Sequence, residues 1–146
     1  MKIFSFLSLF LLFLGACTSK NQHTTFDKSL DVSQVEKRVD LFAFHGTRQC
    51  TTCKNMKAFT RSTLDRYFKN ELKSGLLTYQ IIDVDDSKNE KLAEKFQATG
   101  TALMVNNIEK GKEDIEDWSE FAFEFASGDQ KEYEETLRKM LSQKLN

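Results

Sequence analysis

A short apolar segment that leads into two cysteines constrains the fold of this chain more than any other feature. Val39 to His45 reads V-D-L-F-A-F-H and ends at Gly46, a pattern typical of a buried strand. The next segment opens with Cys50-Thr51-Thr52-Cys53, and apolar residues then recur at helical spacing as far as Ser74. The sequence therefore predicts a C-x-x-C pair between a strand and the first turn of a helix.

The helix predicted from Cys50 to Ser74 has one apolar face and ends at Gly75. Its inward face is expected to consist of Met56, Phe59, Thr63, Tyr67 and Leu72. After Gly75, the segment from Leu76 to Val84 is rich in β-forming residues and predicts a second strand.

Three further elements are predicted before the C-terminal region. Ser87 and Glu90 form a capping-box pattern for a helix from Lys88 to Phe96. A third strand is expected from Ala102 to Asn106, and a Lys-Gly-Lys turn leads to a fourth from Glu113 to Trp118.

The C-terminal region is predicted to form two helices that separate at Ser127-Gly128-Asp129. The first carries Phe121 and Phe125. The second is expected to bury Tyr133, Leu137, Met140, Leu141 and Leu145. At the start of the domain, a looser repeat predicts one more short helix through Val32, Val35 and Val39.

The resulting order is β-α-β-α-β-β-α, without an internal repeat. Strand-helix-strand implies a right-handed parallel crossover, whereas the later hairpin adds antiparallel strands. We therefore expect an α/β fold, with a mixed central sheet of about four strands that is flanked by helices.

The charge balance excludes two classes of function. Lys and Arg total 21 and Asp and Glu total 22, which gives a formal net charge of −1. This balance argues against an electrostatic nucleic-acid binder and against a polybasic membrane adsorber. The chain also contains no proline, which excludes any cis-proline turn.

Residues 1–16 have the make-up of a lipoprotein signal peptide. Lys2 supplies a positive charge, and Ile3 to Leu14 is an almost unbroken apolar run. At about 1.5 Å per residue this run reaches roughly 18 Å, which is short of the ~30 Å hydrocarbon layer. Gly15 and Ala16 are the small residues expected before a cleavage site.

Leu14-Gly15-Ala16-Cys17 resembles the bacterial lipobox, in which the cysteine is lipidated and becomes the first residue of the mature chain. The resemblance implies export and a lipid anchor on Cys17. Residues 17–31 then form a polar tether, and residues 32–146 form the folded domain. Thr18 is not the aspartate associated with retention in the inner membrane, which favours the outer membrane, facing the periplasm. The alternative is an ordinary signal peptide that contains a cysteine.

Cys50 and Cys53 are the candidate catalytic residues. The first backbone N–H groups of a helix lack partners and favour an anion, so a thiolate at Cys50 would be stabilised there. Arg48, Lys54, Lys57 and His45 supply positive charge nearby. Cys50 is expected to attack a disulfide, and Cys53, one turn later, is expected to resolve the mixed disulfide that forms.

Three other interpretations of the pair remain open. The two cysteines could form a structural disulfide, although a bridge over so short a loop gains little from loop closure. They could bind zinc, but a closed zinc site usually has four ligands, and His45 is the only further soft ligand nearby. They could also be a chance pair.

Several motifs resemble the thioredoxin superfamily. They include the element order, the C-x-x-C at the head of the first helix and Asp-Val-Asp at 83–85 after the second strand. Leu-Ala-Glu-Lys-Phe at 92–96, followed by Gly-Thr-Ala-Leu at 100–103, belongs to the same pattern. The resemblance implies a thioredoxin-like fold and a redox-active Cys50–Cys53 disulfide that serves in place of any cofactor.

A narrower resemblance concerns F-H-G-T-R-Q-C-T-T-C from Phe44 to Cys53 and Phe-Ala-Phe at 121–123. These runs are similar to small thioredoxin-like proteins called the nitrophenyl compound nitroreductase subunit ArsF family, which are found beside arsenical-efflux genes. The resemblance covers about Val39 to Leu141. No Gly-rich dinucleotide fingerprint or flavin site is present, so a nitroreductase reaction would need a partner subunit.

The chain departs from ordinary thioredoxins in ways that bear on the site. Gln49 stands where the family has an aromatic residue, and Phe44 replaces its buried carboxylate. Proton transfer to or from Cys53 would then need His45 or water. Ala102 occupies the place of the usual cis-proline, and because a cis bond before alanine costs about 3 kcal/mol, Thr101-Ala102 is expected to be trans.

Together these features predict a membrane-anchored thiol–disulfide oxidoreductase or electron-carrier subunit that meets a protein partner through a mixed disulfide. Cys50 and Cys53 would carry the reaction, with His45, Arg48, Lys54, Thr101 and Ala102 in support. No metal and no nucleic acid are expected. The alternatives are a module that binds arsenite or a soft metal, and a non-catalytic accessory subunit of an arsenical-related reductase system.

Overall fold

The strand predicted ahead of the cysteines is an inner strand of a four-stranded sheet. A computed structural model describes Ser33 and residues 35–146. Its elements in chain order are β1 (Lys37–His45), α1 (Thr51–Tyr67), α2 (Lys69–Ser74), β2 (Leu77–Asp83), a 3₁₀ turn (Ser87–Asn89), α3 (Glu90–Lys95), β3 (Ala102–Glu109), β4 (Lys112–Asp117), α4 (Ser119–Ala126) and α5 (Gln130–Leu145). The predicted signal peptide, Cys17, the polar tether and Val32 lie outside the described residues.

The sheet has the strand order β2-β1-β3-β4. β1 and β2 run parallel, whereas β1 and β3, and then β3 and β4, run antiparallel. Because parallel neighbours need a crossover, α1 and α2 carry the chain from the end of β1 back to the start of β2. This order and these directions form the thioredoxin-like arrangement, and the predicted mixed α/β fold is confirmed.

β1 is buried on both faces, since its side chains alternate between two apolar clusters. The cluster shared with α1, α4 and α5 receives Val39, Leu41 and Ala43. Phe42 and Phe44 face the other way, toward α3, and their ring centroids lie 4.6 and 5.6 Å from that of Phe96. A strand that is covered on both sides needs a nearly continuous apolar sequence, which β1 has.

The prediction of one unbroken helix from Cys50 to Ser74 is wrong, because the helix breaks at Phe68. This residue has φ −127° and ψ 28° and is buried, and α2 begins directly after it. Tyr67, predicted to face inward, is instead 37% exposed and lies beside the guanidinium groups of Arg66 and Arg138. The inward burial of Phe68 therefore decides where α1 ends.

The short helix predicted through Val32, Val35 and Val39 is not formed by the two of these valines that the structure describes. Val39 pairs with Leu77 of β2, and Val35 belongs to no helix. Valine is β-branched and suits an extended strand that is packed on its faces, so pairing within the sheet outweighs the loose helical spacing.

The segment that precedes β1 forms backbone hydrogen bonds with the turn between β3 and β4. The backbone N–H groups of Lys110 and Gly111 donate to the carbonyl oxygens of Glu36 and Val35, at 2.7 and 2.9 Å. Gly111 has φ +72°, and a Cβ atom there would lie 2.8 Å from the carbonyl oxygen of Ser33. Glycine is therefore required both by the conformation and by the close approach of the chain.

Other element boundaries differ by a few residues from those predicted. Asp86, rather than Ser87, provides the cap: its carboxylate accepts from the Lys88 N–H at 3.0 Å, and a 3₁₀ turn precedes α3 at Glu90. β3 continues three residues beyond its predicted end. β4 ends one residue early, and Trp118 packs into the core.

The predicted separation of the two C-terminal helices is confirmed. Asp129 caps α5, because its carboxylate accepts from the N–H groups of Lys131 and Glu132. The predicted inward residues of α5 all belong to or pack against the larger cluster: Tyr133, Leu137, Met140, Leu141 and Leu145. Within the described part of the chain, no helix has the length and apolar character needed to cross a bilayer.

A buried polar contact joins α1 to α5. The hydroxyl oxygens of Thr60 and Tyr133 lie 2.7 Å apart, and neither residue is exposed. Burial raises the pKa of Tyr133 above its ordinary value, so the phenol remains protonated and able to donate. Loss of either hydroxyl would leave the other without this partner inside the core.

We therefore expect Tyr133→Phe and Thr60→Val each to lower the free energy of unfolding by about 1–2 kcal/mol. The double variant is expected to lose less than the sum, because the second substitution removes a hydroxyl that has already lost the contact between Thr60 and Tyr133. Urea denaturation followed by circular dichroism measures all three values. Tyr67→Phe, at an exposed position, is the control, and strictly additive losses would contradict the coupling.

Candidate active site around Cys50 and Cys53

The two cysteines lie where β1 passes into α1. Cys50 is the N-cap residue of α1, with φ −73° and ψ 168°, and its Sγ accepts a hydrogen bond from the Cys53 N–H at 3.0 Å. The two residues form a disulfide with their Cα atoms 5.0 Å apart. The helix N-terminus therefore directs an otherwise unpaired N–H group at the sulfur of the first cysteine.

The two sulfurs differ in their access to solvent. Cys50 is exposed, whereas Cys53 is 7% exposed and lies among the buried residues of α1. A partner can therefore reach Cys50 before Cys53. The roles of Cys50 as the attacking thiol and Cys53 as the resolving thiol remain predictions. Such roles require an exposed attacking sulfur and a protected resolving sulfur, which is the observed difference.

Gln49 connects two basic side chains next to the disulfide. Its Oε1 accepts a hydrogen bond from Nζ of Lys57, and its Nε2 lies 3.2 Å from Nδ1 of His45. When Nε2 of Gln49 donates to Nδ1 of His45, the neutral imidazole carries its proton on its own other ring nitrogen, Nε2 of His45. Nδ1 also lies 3.0 Å from the carbonyl oxygen of Gly46, which would accept from it in the other tautomer.

The side chains of the other predicted cations, Arg48 and Lys54, form no hydrogen bond with Gln49, Lys57 or His45. Arg48 and Lys54 are exposed, and neither side chain makes a hydrogen bond or ion pair with another described residue. Arg48 stands in the loop before α1, and Lys54 directly follows Cys53. Of the predicted supporting residues, His45 is thus the one that the structure connects through hydrogen bonds to the residue before Cys50.

Asp85 fixes the loop that carries the chain from β1 to Cys50. Its Oδ2 accepts from the Thr47 N–H at 2.7 Å, and a Cβ atom on Gly46 would lie 3.2 Å from the same oxygen. Hydrogen bonds from the backbone and side chain of Thr47, together with the charge of His45, lower the pKa of Asp85 below its ordinary value. The carboxylate therefore persists in the folded protein at acid pH, and the bond from Thr47 is lost only as the pH falls through this lowered pKa.

The Thr101-Ala102 bond is trans, as the sequence predicts, since the described residues contain no cis peptide bond. Ala102 begins β3 opposite Phe44 and packs against the smaller apolar cluster. Thr101 and Ala102 also line an open groove of about 610 Å³ between the α3–β3 connection and β4. Phe44 is fully buried, so an aromatic ring occupies the place where the family resemblance implies a carboxylate.

Sequence reasoning missed the contacts that organise this site. Gln49 was identified only as a departure from an aromatic residue, and Asp85 only as the end of a strand pattern. The one available signal was the position of Lys57, four residues after Cys53 and therefore on the same face of α1. Among the described residues, no group of three or more His, Cys, Asp or Glu side chains could hold a metal ion.

Comparison with known proteins gives limited similarity. No family model matches the chain, and no curated protein matches it. A solved structure of a malarial protein has 19% identity and a TM-score of 0.39, covering 56% of this chain and 82% of its own. A thioredoxin from Fasciola hepatica has 23% identity and a TM-score of 0.38, covering 56% of this chain and 68% of its own. The fold assignment rests on strand order and direction, and the resemblance to the ArsF family stays a prediction.

The contact between Asp85 and Thr47 can be tested directly. We expect Asp85→Ala to raise the hydrogen-exchange rate of the Thr47 amide about fivefold, because the amide loses its acceptor. Exchange followed by NMR measures the rate. Asp86→Ala, which removes the neighbouring cap of the 3₁₀ turn, should leave Thr47 unchanged. An equal effect from both variants would contradict a specific role for Asp85.

Proposed function

We propose that this protein is a thiol–disulfide oxidoreductase or electron-carrier subunit that reacts with a protein partner through Cys50 and Cys53. The observation that carries the proposal is the pairing of an exposed cysteine at a helix N-terminus with a buried cysteine one turn later, at disulfide distance. The thioredoxin-like fold and this pair fit thiol–disulfide exchange.

The reaction proceeds in two exchange steps when the protein is the reductant. The Cys50 thiolate attacks one sulfur of the partner disulfide, forms a Cys50–partner disulfide and releases the other partner sulfur as a thiolate. Cys53 then loses its proton to water or to His45, attacks Sγ of Cys50 and releases the second partner thiolate. The protein gives up two electrons, and the two partner thiolates take up protons from solvent.

The site supplies specific help to each step. The Cys53 N–H and the helix N-terminus favour negative charge on Cys50, and the exposure of Cys50 gives a folded partner room to approach. The burial of Cys53 keeps the resolving thiol close to Cys50 and away from competing disulfides. The reverse sequence of the same steps would oxidise a partner dithiol, so the direction depends on the reduction potentials of the two pairs.

We further propose that the domain works outside the cytoplasm, tied to a membrane through a lipid on Cys17. The signal-like residues 1–16 and the lipobox-like sequence that ends at Cys17 support this proposal. The outer membrane, with the domain in the periplasm, is the location that Thr18 favours. A disulfide at Cys50–Cys53 is compatible with an oxidising compartment of this kind.

Trapping of the mixed disulfide tests the proposed reaction. Cys53→Ser is expected to accumulate a disulfide between Cys50 and the partner, because the resolving thiol is missing. Non-reducing electrophoresis and mass spectrometry of the trapped species, with the cross-linked peptide assigned, measure this result. Cys50→Ser is the matched control and should trap little. The proposal would be contradicted if neither variant trapped a partner and the Cys50–Cys53 disulfide of the wild-type protein resisted a mild reductant.

The anchor is tested independently of the chemistry. Cys17→Ser is expected to move the protein from the membrane fraction to the soluble fraction of cells, because the acylated residue is removed. Incorporation of labelled fatty acid should disappear in the same variant. Cys53→Ser, which retains Cys17, is the control and should remain with the membrane. Unchanged incorporation of fatty acid in Cys17→Ser would rule out the lipid anchor.

A further inference from the structure

Lys57 forms a hydrogen bond with the residue before Cys50, although its backbone lies one turn beyond Cys53. A helix rises about 5.4 Å per turn, and residues four apart share a face. Lys57 stands four residues after Cys53, yet its ammonium group donates to Gln49, the residue before Cys50. The lysine side chain therefore runs back along α1 toward the head of the helix, where the side chain of Gln49 meets it.

The amide of Gln49 is held so that its oxygen faces Lys57. Its Nε2 lies 3.2 Å from Nδ1 of His45, so the amide nitrogen is directed at the imidazole and Oε1 is left for the ammonium group. His45 is itself fixed at the end of β1, where its carbonyl oxygen accepts from the Val84 N–H at 2.8 Å. The position of Lys57 is thus connected through Gln49 to the central sheet.

The resolving thiol is the group that most needs a nearby cation. Cys53 is 7% exposed, and burial in apolar surroundings disfavours a thiolate. The position on β1 where the family resemblance implies a carboxylate holds the buried Phe44, whose ring faces the smaller apolar cluster, so β1 supplies no carboxylate there to accept the proton. The other charges around the loop are the exposed Arg48 and Lys54 and the carboxylate of Asp85, which is bonded to Thr47.

We propose that Gln49 is a positioning residue that holds the Lys57 ammonium group beside Cys53 and so speeds the resolution of the mixed disulfide. This inference rests on the proposed thiol–disulfide exchange. The ammonium group favours the Cys53 thiolate as the proton leaves for water or His45. The thiolate then attacks Sγ of Cys50, forms the intramolecular disulfide and releases the partner thiolate.

A small aromatic disulfide whose thiolate is coloured separates the two exchange steps. Attack by Cys50 releases one coloured thiolate in a phase that depends on reagent concentration, and resolution by Cys53 releases the second in a phase that does not. Gln49→Leu and Lys57→Met are each expected to slow the second phase. If each substitution lowers the thiolate fraction of Cys53 about tenfold, the second phase slows by only about threefold. The loss is smaller because a more basic sulfur is also a better nucleophile.

Further variants distinguish positioning from a general loss of charge or structure. Lys57→Arg should restore most of the second-phase rate, and the Gln49→Leu/Lys57→Met double variant should be no slower than Lys57→Met, because Gln49 acts through Lys57. Lys54→Met removes a cation that directly follows Cys53 and whose side chain forms no hydrogen bond with Gln49. This variant should slow the second phase less than Lys57→Met. Lys139→Met, on an exposed position of α5, is the control for lysine replacement and should match the wild type.

The outcomes separate this inference from the function on which it rests. A second phase that is unchanged in Gln49→Leu, or multiplicative slowing in the double variant, overturns the positioning role while the exchange reaction stands. Equal slowing by Lys54→Met and Lys57→Met also overturns it, because net charge alone would then explain the effect. A wild-type protein that shows no second phase overturns both the positioning role and the proposed exchange.

Discussion

The burial of β1 on both faces is the constraint on which the rest of the structure depends. Its side chains divide between two apolar clusters, so helices must cover both sides of the sheet at this strand. The same strand ends at His45, and the chain then turns directly into α1. The position of the disulfide therefore follows from the position of β1, and the chemistry at Cys50 depends on the packing of residues far from it.

Much of the fold could be predicted because it follows from local periodicity. The apolar run of β1, the hairpin turn at Lys110–Gly111 and the separation of the last two helices each appear within a few residues of sequence. The C-x-x-C could be assigned to a helix start for the same reason. These features are confirmed, and together they specify the mixed sheet and its helices.

The remaining features depend on contacts between distant segments, which periodicity does not contain. Phe68 ends α1 because its ring belongs in the larger cluster, and a helical pattern alone gives no reason for the break. Gln49 meets Lys57 and His45 because the end of a strand and the second turn of a helix converge. A polar side chain before the cysteines could therefore be recognised as unusual from the sequence, but its partners could not be identified.

The contact between the β3–β4 turn and the segment before β1 has a consequence for access to the disulfide. It places the entry of the N-terminal segment at the end of the sheet where β1 begins, whereas the disulfide follows the end of β1. At about 3.3 Å per residue, the nine residues of this strand separate the two places by roughly 26 Å. The chain thus enters the domain at the end of β1 remote from Cys50, and the described part of the entering segment leaves the disulfide uncovered at the opposite end of the strand.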